Sequence, residues 1–319
     1  MIKRIFLTLI VIFFFPFSFY FYFQDQLYTS FVEQEKTIYF TSGTKTLEIL
    51  STLENEKMIP SKWPIILDFI LNPKHLSLKH GEYRFEKGMS PFHVMEKIYK
   101  GDVVTYKLTI PEGLTSFEIV ERLKKIEELE GTLARIPLEG ALFPSTYEYK
   151  RGQTRGFLLD RMEKEMERVL SELSKDYPSS NIAEIVIMAS LIEKETFLDH
   201  ERPRVASVFY NRLSKNMKLQ CDPTVIYAVT QGKETLSRPL SKTDLKIESP
   251  FNTYRVYGLP PTPICNFGRG SLMAAFNPLK TGDLYFVAKE GREHEFSESL
   301  ENHNIAVQKL RKRERNQSK

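Results

Sequence analysis

Residues 5–23, "IFLTLIVIFFFPFSFYFYF", run for 19 positions without a charge. At ~1.5 Å rise per residue, a helix of that length matches the hydrocarbon core of a bilayer. Pro16 is tolerable in such a helix, and Tyr20 and Tyr22 suit the interface. Lys3 and Arg4 precede the run, which puts the N-terminus in the cytoplasm and everything after it outside. A cleaved signal peptide would have a shorter apolar core and a small-residue cleavage site, and "QDQLYTS" offers none. The pattern predicts a retained single-pass anchor in the cell (inner) membrane, over residues 1–24.

The next hundred residues alternate short strands with amphipathic helices. "TIYFTSGTKTLEILSTL" (37–53), "GEYRFEKGMSPFHVMEKI" (81–98) and "VTYKLTIPEGLTSFEIVERL" (104–123) share one order. Each has an alternating strand, a turn glycine (Gly43, Gly88, Gly113), a polar cap (Thr46, Ser90, Thr115) and a helix. A further helix is predicted over residues 62–71. Residues 25–130 therefore form a small α+β module without evident chemistry, suited to spacing or to binding a linear polymer.

From about residue 131 the texture changes. A turn-rich connector (138–152) precedes a charged amphipathic helix over 157–173. Asn181 with Glu184 three residues on resembles a capping box. It starts the helix that contains "IVIMASLIEKET" (185–196). Helical patterns follow at 203–213 and 219–229, then a loop dense in Pro and Asn (249–266). A helix at 270–276, a strand at 284–288 with a hairpin return at 294–296, and a last helix from Leu300 complete the chain. The fold class is α+β, with residues 131–319 as the second domain.

Composition changes this picture little. The chain is 41% hydrophobic, enough for a core, and its net charge of +4 is too mild to argue for nucleic acid. Its two cysteines, Cys221 and Cys265, match no zinc or redox spacing, and whether they pair as a disulfide stays open. His294 and His303 belong to no metal motif, and no cofactor is called for.

The candidate chemistry lies at the end of 185–196. A helix apolar on all faces is buried, so a carboxyl group at its mouth is drawn out of water. Desolvation raises its pKa, as a general acid requires. Glu193 and Glu195 are about 200° apart at 3.6 residues per turn, so they serve different surroundings. One is the acid; the other pairs with Lys194, Arg202 or Arg204. The competing reading is a helix that ends in solvated charges. Glu139, Gln220, Asp222, Asn252 and Tyr254 are the candidate substrate-binding residues. Each is also a plausible turn or core-edge residue, Asp222 before Pro223 above all.

Eight motifs occur in order: "PEGLT" (111–115), "LEGALFPSTY" (138–147), "MASLIEKET" (188–196), "ERPRVASVFYNRL" (201–213), "LQCDPTVIY" (219–227), "SPFNTYRVYGLPPTPICNFG" (249–268), "NPLKTGDLYFVA" (277–288) and "HEFSESLENHN" (294–304). Together they resemble the endolytic murein transglycosylase, or YceG-like, family over nearly the whole chain. The resemblance implies a LysM-like module followed by a catalytic domain. It implies a membrane-anchored lytic transglycosylase that cuts the β-1,4 bond between N-acetylmuramic acid and N-acetylglucosamine within nascent glycan strands. Glu195 falls on the family's catalytic glutamate, acting as acid and then base. Peptidoglycan strands and the membrane are the implied partners, with peptidoglycan synthases as candidates. Departures are Cys221 in place of Ser or Thr, Ser145 in place of Asp, and Cys265 in place of a small residue. A muramidase using Glu195 with Asp222 is the runner-up, and an inactive glycan-binding scaffold is a third reading.

Overall fold

The computed structural model describes residues 17–289 and 293–317. Most of the predicted anchor, with Lys3 and Arg4, lies outside them. Among the described residues no helix is long and apolar enough to cross a membrane. The chain is mixed α+β and divides into two compact units.

The first unit comprises residues up to 107 with 128–130 and 148–153. It opens on a helix, α1 (17–28). Strand β1 (Lys36–Phe40) pairs antiparallel with β2 (Gly81–Phe85), Ile38 opposite Tyr83. Between them lie α2 (Thr46–Asn55) and α3 (Trp63–Leu71), and α4 (Pro91–Lys100) follows. The strands alternate, so Phe40, Tyr83 and Phe85 point inward onto Ile49, Leu50 and Leu53 of α2 and Val94 and Ile98 of α4. Each such aliphatic or aromatic side chain stabilises the unit by roughly 1.5–3 kcal/mol. Gly43 and Gly88 make the turns at φ 89° and 88°, where a Cβ would be strained. Ser90 caps α4 by accepting the His93 N–H. Thr46 caps nothing: it is already inside α2, and Lys45 takes the cap position without a side-chain bond.

Strands β3 (Tyr106–Thr109) and β4 (Thr146–Tyr149) pair as a second two-stranded sheet, and each contributes residues to both units.

The second unit holds residues 108–127, 131–147 and everything from 154. It contains α5 (Ser116–Lys124), α6 (Arg155–Ser174), α7 (Ile182–Glu195), α8 (Arg202–Ser214), α9 (Asp222–Thr230), α10 (Arg269–Phe276) and α11 (Leu300–Gln317). The hairpin β5 (Tyr285–Ala288) and β6 (His294–Ser297) sits between the last two helices in sequence. Thr115 and Glu118 form a full capping box on α5. Asn181 caps α7 through the Ala183 N–H, while Glu184 meets the Asn181 side-chain amide.

Helix α7 is the centre of this unit. It packs on α8, α9 and α10, and Met188, Ala189, Leu191 and Ile192 have no exposed surface. Ala189, Ala274 and Ala275 let α7 and α10 approach closely. Ser190 fastens the Pro-rich loop to α7. Its hydroxyl accepts the Ile264 N–H at 3.1 Å, and the Cys265 thiol lies 3.4 Å from its carbonyl oxygen.

Candidate active site

Helix α7 ends at Glu195, because Thr196 turns to extended backbone at φ −140° and ψ 137°. The two carboxylates of the terminal turn therefore leave it on different sides. Glu193 is 3% exposed. Its Oε2 accepts the Gly268 N–H at 2.9 Å, and its Oε1 lies 3.6 Å from Arg202 Nη2. Arg202, buried as well, also binds Glu112 at 3.1 Å and Asp199. This network joins the "PEGLT" turn, α7, α8 and the start of α10. A Cβ at Gly268 would meet the Glu112 carboxyl group, which would have to shift to make room. Of the three basic partners expected for one carboxylate of the pair, Arg202 is the neighbour of Glu193.

Glu195 faces the entry to α9. It is half-buried, and its Oε1 accepts a hydrogen bond from the Cys221 thiol at 3.0 Å. Burial pushes its pKa up. The Cys221 hydrogen bond opposes that rise, and the charge of Asp222 reinforces it. Cys221 is 2% exposed, and burial lifts its own pKa well above the ordinary thiol value, with the Glu195 charge adding to the rise. It stays a protonated donor. Cys221 and Cys265 are both free thiols, so they form no disulfide.

Cys221 is placed by a lattice of short bonds. Its N–H donates to the Thr253 hydroxyl at 3.0 Å, and its carbonyl accepts the Thr224 hydroxyl at 2.6 Å. The Thr224 and Thr253 hydroxyls meet at 2.8 Å. One step earlier, Gln220 sits at φ 49°, in the left-handed region that non-glycine residues rarely enter. Its N–H bonds the Thr253 carbonyl at 3.1 Å. The result alternates: Gln220 exposed, Cys221 turned in onto Glu195, Asp222 exposed. Arg212 secures the approach to this turn by donating to the carbonyls of Leu219 at 2.7 Å and Leu284 at 2.6 Å.

The predicted residues separate into three groups. Glu195, Gln220, Asp222 and Tyr254 converge on the N-terminal end of α9, where the Tyr254 hydroxyl donates to Asp222 Oδ1 at 2.6 Å. Glu139 meets α9 further along, through Tyr227, and accepts the Ser116 N–H at 2.8 Å. Desolvation pushes the Glu139 carboxyl from an ordinary 4.5 up to about 7. Asn252 is fully buried and its polar atoms are used inside its own loop. Its amide donates to the carbonyls of Leu245 and Ile247, and its oxygen accepts the Tyr254 N–H at 3.0 Å. Asn252 shapes the turn that presents Tyr254.

Three residues carry more than their sequence context suggests. Cys221 holds the carboxyl group, Arg212 clamps the chain that carries Cys221, and Asn266 is a fully buried hub. Asn266 bonds Leu114 and Ser116 with its amide and accepts the Leu142 N–H at 2.9 Å. A polar residue between apolar neighbours in "ICNFG" was the one available signal for that hub.

A buried helix that delivers one half-buried carboxyl group, held by a thiol and flanked by exposed polar side chains, makes a candidate single-carboxyl acid–base site on an α+β protein. Residues 38–309 match the model of the YceG-like family, and the chain belongs to that family. It is 33% identical over 311 residues to the endolytic murein transglycosylase of Bacillus subtilis, covering 85% of this chain and 84% of that one. The endolytic murein transglycosylase of Streptococcus pneumoniae is 30% identical over 321 residues, and the match spans 57% of its length. A crystal structure of a YceG-like protein from Listeria monocytogenes aligns with a TM-score of 0.55 at 30% identity, over 86% of this chain and 99% of that one.

Proposed function

We propose that this chain is a lytic transglycosylase of peptidoglycan, cutting within glycan strands with Glu195 as its acid and base. The observation that carries the reading is Glu195 itself: half-buried at the end of α7, with a pKa raised by desolvation and its Oε1 held by the Cys221 thiol. That state favours the protonated form of the carboxyl group relative to an exposed glutamate. The names of the Bacillus and Streptococcus relatives supply the substrate class.

The reaction needs one carboxyl group. Glu195 gives its proton to the oxygen that bridges N-acetylmuramic acid to N-acetylglucosamine, and that glycosidic bond breaks. The carboxylate then takes the proton of the muramyl 6-hydroxyl, whose oxygen bonds to the anomeric carbon. A 1,6-anhydro end results, no water is consumed, and Glu195 is protonated again. Gln220, Asp222 and Tyr254 are the residues proposed to meet the sugars beside it, and Glu139 a further polar contact along α9. Asn252 contributes by holding the loop of Tyr254.

The order β1–α2–α3–β2, with antiparallel strands, supports a LysM-like glycan-binding role for the first unit. The uncharged run from Ile5 to Phe23, behind Lys3 and Arg4, supports a single-pass anchor with the bulk of the chain outside the cytoplasm. Peptidoglycan synthases are proposed partners, since nascent strands are their product.

Asp222 acts electrostatically on Glu195, and that favours hydrolysis by two carboxylates as the second reading. Digesting purified peptidoglycan and weighing the products separates the two, because an anhydro end lacks one water relative to a hydrolysed end.

A further inference from the structure

Helix α3, "WPIILDFIL", is apolar on two faces. Ile65 and Phe69 are buried in the first unit's core. The other face carries Trp63, Leu67, Ile70 and Leu71, at the i, i+4, i+7, i+8 spacing of one helical stripe, with Ile66 beside it packed on the core. Of these, Trp63 is 69%, Ile70 69% and Leu71 66% exposed. An apolar stripe left open on a folded unit marks a contact surface.

Three observations say what covers it. The first is position. Leu67 and Leu71 line one cleft together with Phe19, Tyr20 and Phe23 of α1. Residues 17–23 of α1 are the end of the uncharged run, and 12 further uncharged residues, Ile5 to Pro16, precede them in the sequence. The stripe thus borders the segment read as the anchor. The second is charge. Asp68 is the one ionisable residue within α3, and it is tied to His75 Nδ1 at 2.7 Å and the Asn72 amide at 2.9 Å. The stripe itself has no carboxylate, and Lys74 stands three residues after the helix, while Lys62 just before it is paired with Glu54 at 3.2 Å. Lys74 can reach anionic headgroups while the helix body lies in the apolar boundary. The third is residue type. A tryptophan on the open face has an amphipathic ring of the kind enriched at the headgroup level.

We infer that α3 is an interfacial membrane helix, which lays Trp63, Ile70 and Leu71 into the outer surface of the bilayer beside the anchor. This rests on the anchor reading and deepens it: the first unit is held flat against the lipid by a second contact, in addition to its tether.

Trp63 is the chain's single tryptophan, so its fluorescence reports on α3 alone. The full chain is reconstituted into vesicles of phosphatidylcholine and phosphatidylglycerol, with and without brominated acyl chains. The expected result is a blue-shifted emission that brominated lipid quenches and that aqueous acrylamide reaches poorly. An Ile70→Glu/Leu71→Glu double variant should still float with the vesicles, keep its circular dichroism and lose the lipid quenching, because both positions are exposed in the folded unit. A chain that floats with the vesicles while Trp63 is unquenched overturns the interfacial helix and leaves the anchor standing. The interfacial helix falls in that case whether the indole is open to water or covered by a second copy, which sedimentation would reveal. A chain that does not float at all overturns both.

Discussion

The Cys221 thiol donates to Glu195 Oε1 across 3.0 Å, although 26 positions separate the two residues. Burial raises the Glu195 pKa, and this hydrogen bond to the ionised form lowers it. The thiol therefore limits how far the carboxyl group moves. Cys221→Ala removes the donor, so the Glu195 pKa should rise and the basic limb of kcat/KM should shift to higher pH. Cys221→Ser supplies a stronger donor and should shift that limb to lower pH. The sign follows because the acid must be protonated in the free enzyme, and the limb tracks its pKa. pH–rate profiles of both variants check this. Profiles that coincide with the parent's would show that the thiol does not tune Glu195.

Glu193 is expected to matter for stability rather than chemistry. It is buried against Arg202 and receives the Gly268 N–H at 2.9 Å. Glu193→Ala leaves that N–H unpaired and weakens the surroundings of a buried guanidinium, a loss of about 1–3 kcal/mol. Thermal unfolding should show a lower Tm, with anhydro product still formed at temperatures where the variant is folded. A variant of unchanged Tm and no activity would place Glu193 in the reaction.

Glu139 should titrate near neutrality. Its folded pKa is about 7 against an ordinary 4.5, raised chiefly by burial. A raised pKa means the folded state holds the proton more tightly. The stabilisation from that proton is full below pH 4.5 and is lost as pH rises through about 7. The upper bound of the effect is about 3 kcal/mol, reduced because solvent reaches part of the carboxyl group. Relative to the parent, Glu139→Gln should gain stability as the pH is raised across that window. Denaturant titrations at several pH values measure the difference, and carboxyl NMR gives the pKa directly. An ordinary glutamate titration would contradict it.

The anchor reading makes a topological prediction. A reporter fused after Lys319 should be active only outside the cytoplasm, and the chain should sediment with membranes. Recovery in the soluble fraction after membrane removal would overturn it.

Elements whose pattern is local were legible in the sequence. The Thr115 cap of α5 and the β5–β6 hairpin depend on residues a few positions apart, and spacing alone carries that information. Thr46 misled because a capping residue type next to a helix start can also be its first helical residue. The carboxyl pair was legible as a pair, since about 200° of rotation separates the two at 3.6 residues per turn. Arg202 was legible as a basic partner, but Gly268 and Cys221 were not, because they reach Glu193 and Glu195 across 75 and 26 residues. Asn252 reads as a ligand-binding amide in sequence, yet the loop it closes has backbone carbonyls that would otherwise be buried without partners. Residues 104–123 read as the third strand–helix repeat of the N-terminal module. Residues 108–127 fall in the second unit, where Asn266 bonds Leu114 and Ser116.

The most direct test of Glu195 as the acid is the product spectrum of Glu195→Gln on purified peptidoglycan. The amide keeps the side chain's shape and removes the proton that starts the reaction. Acid–base catalysis supplies ~10²–10⁴-fold, and here one group serves both half-steps, so loss of anhydro-ended products should lie at or beyond the upper end. The variant should unfold at or above the parent's Tm, because an amide costs less to bury than a carboxylate. Near-parental yields of anhydro-muropeptides from Glu195→Gln, with their disappearance in Glu193→Gln, would contradict the assignment of Glu195 as the acid.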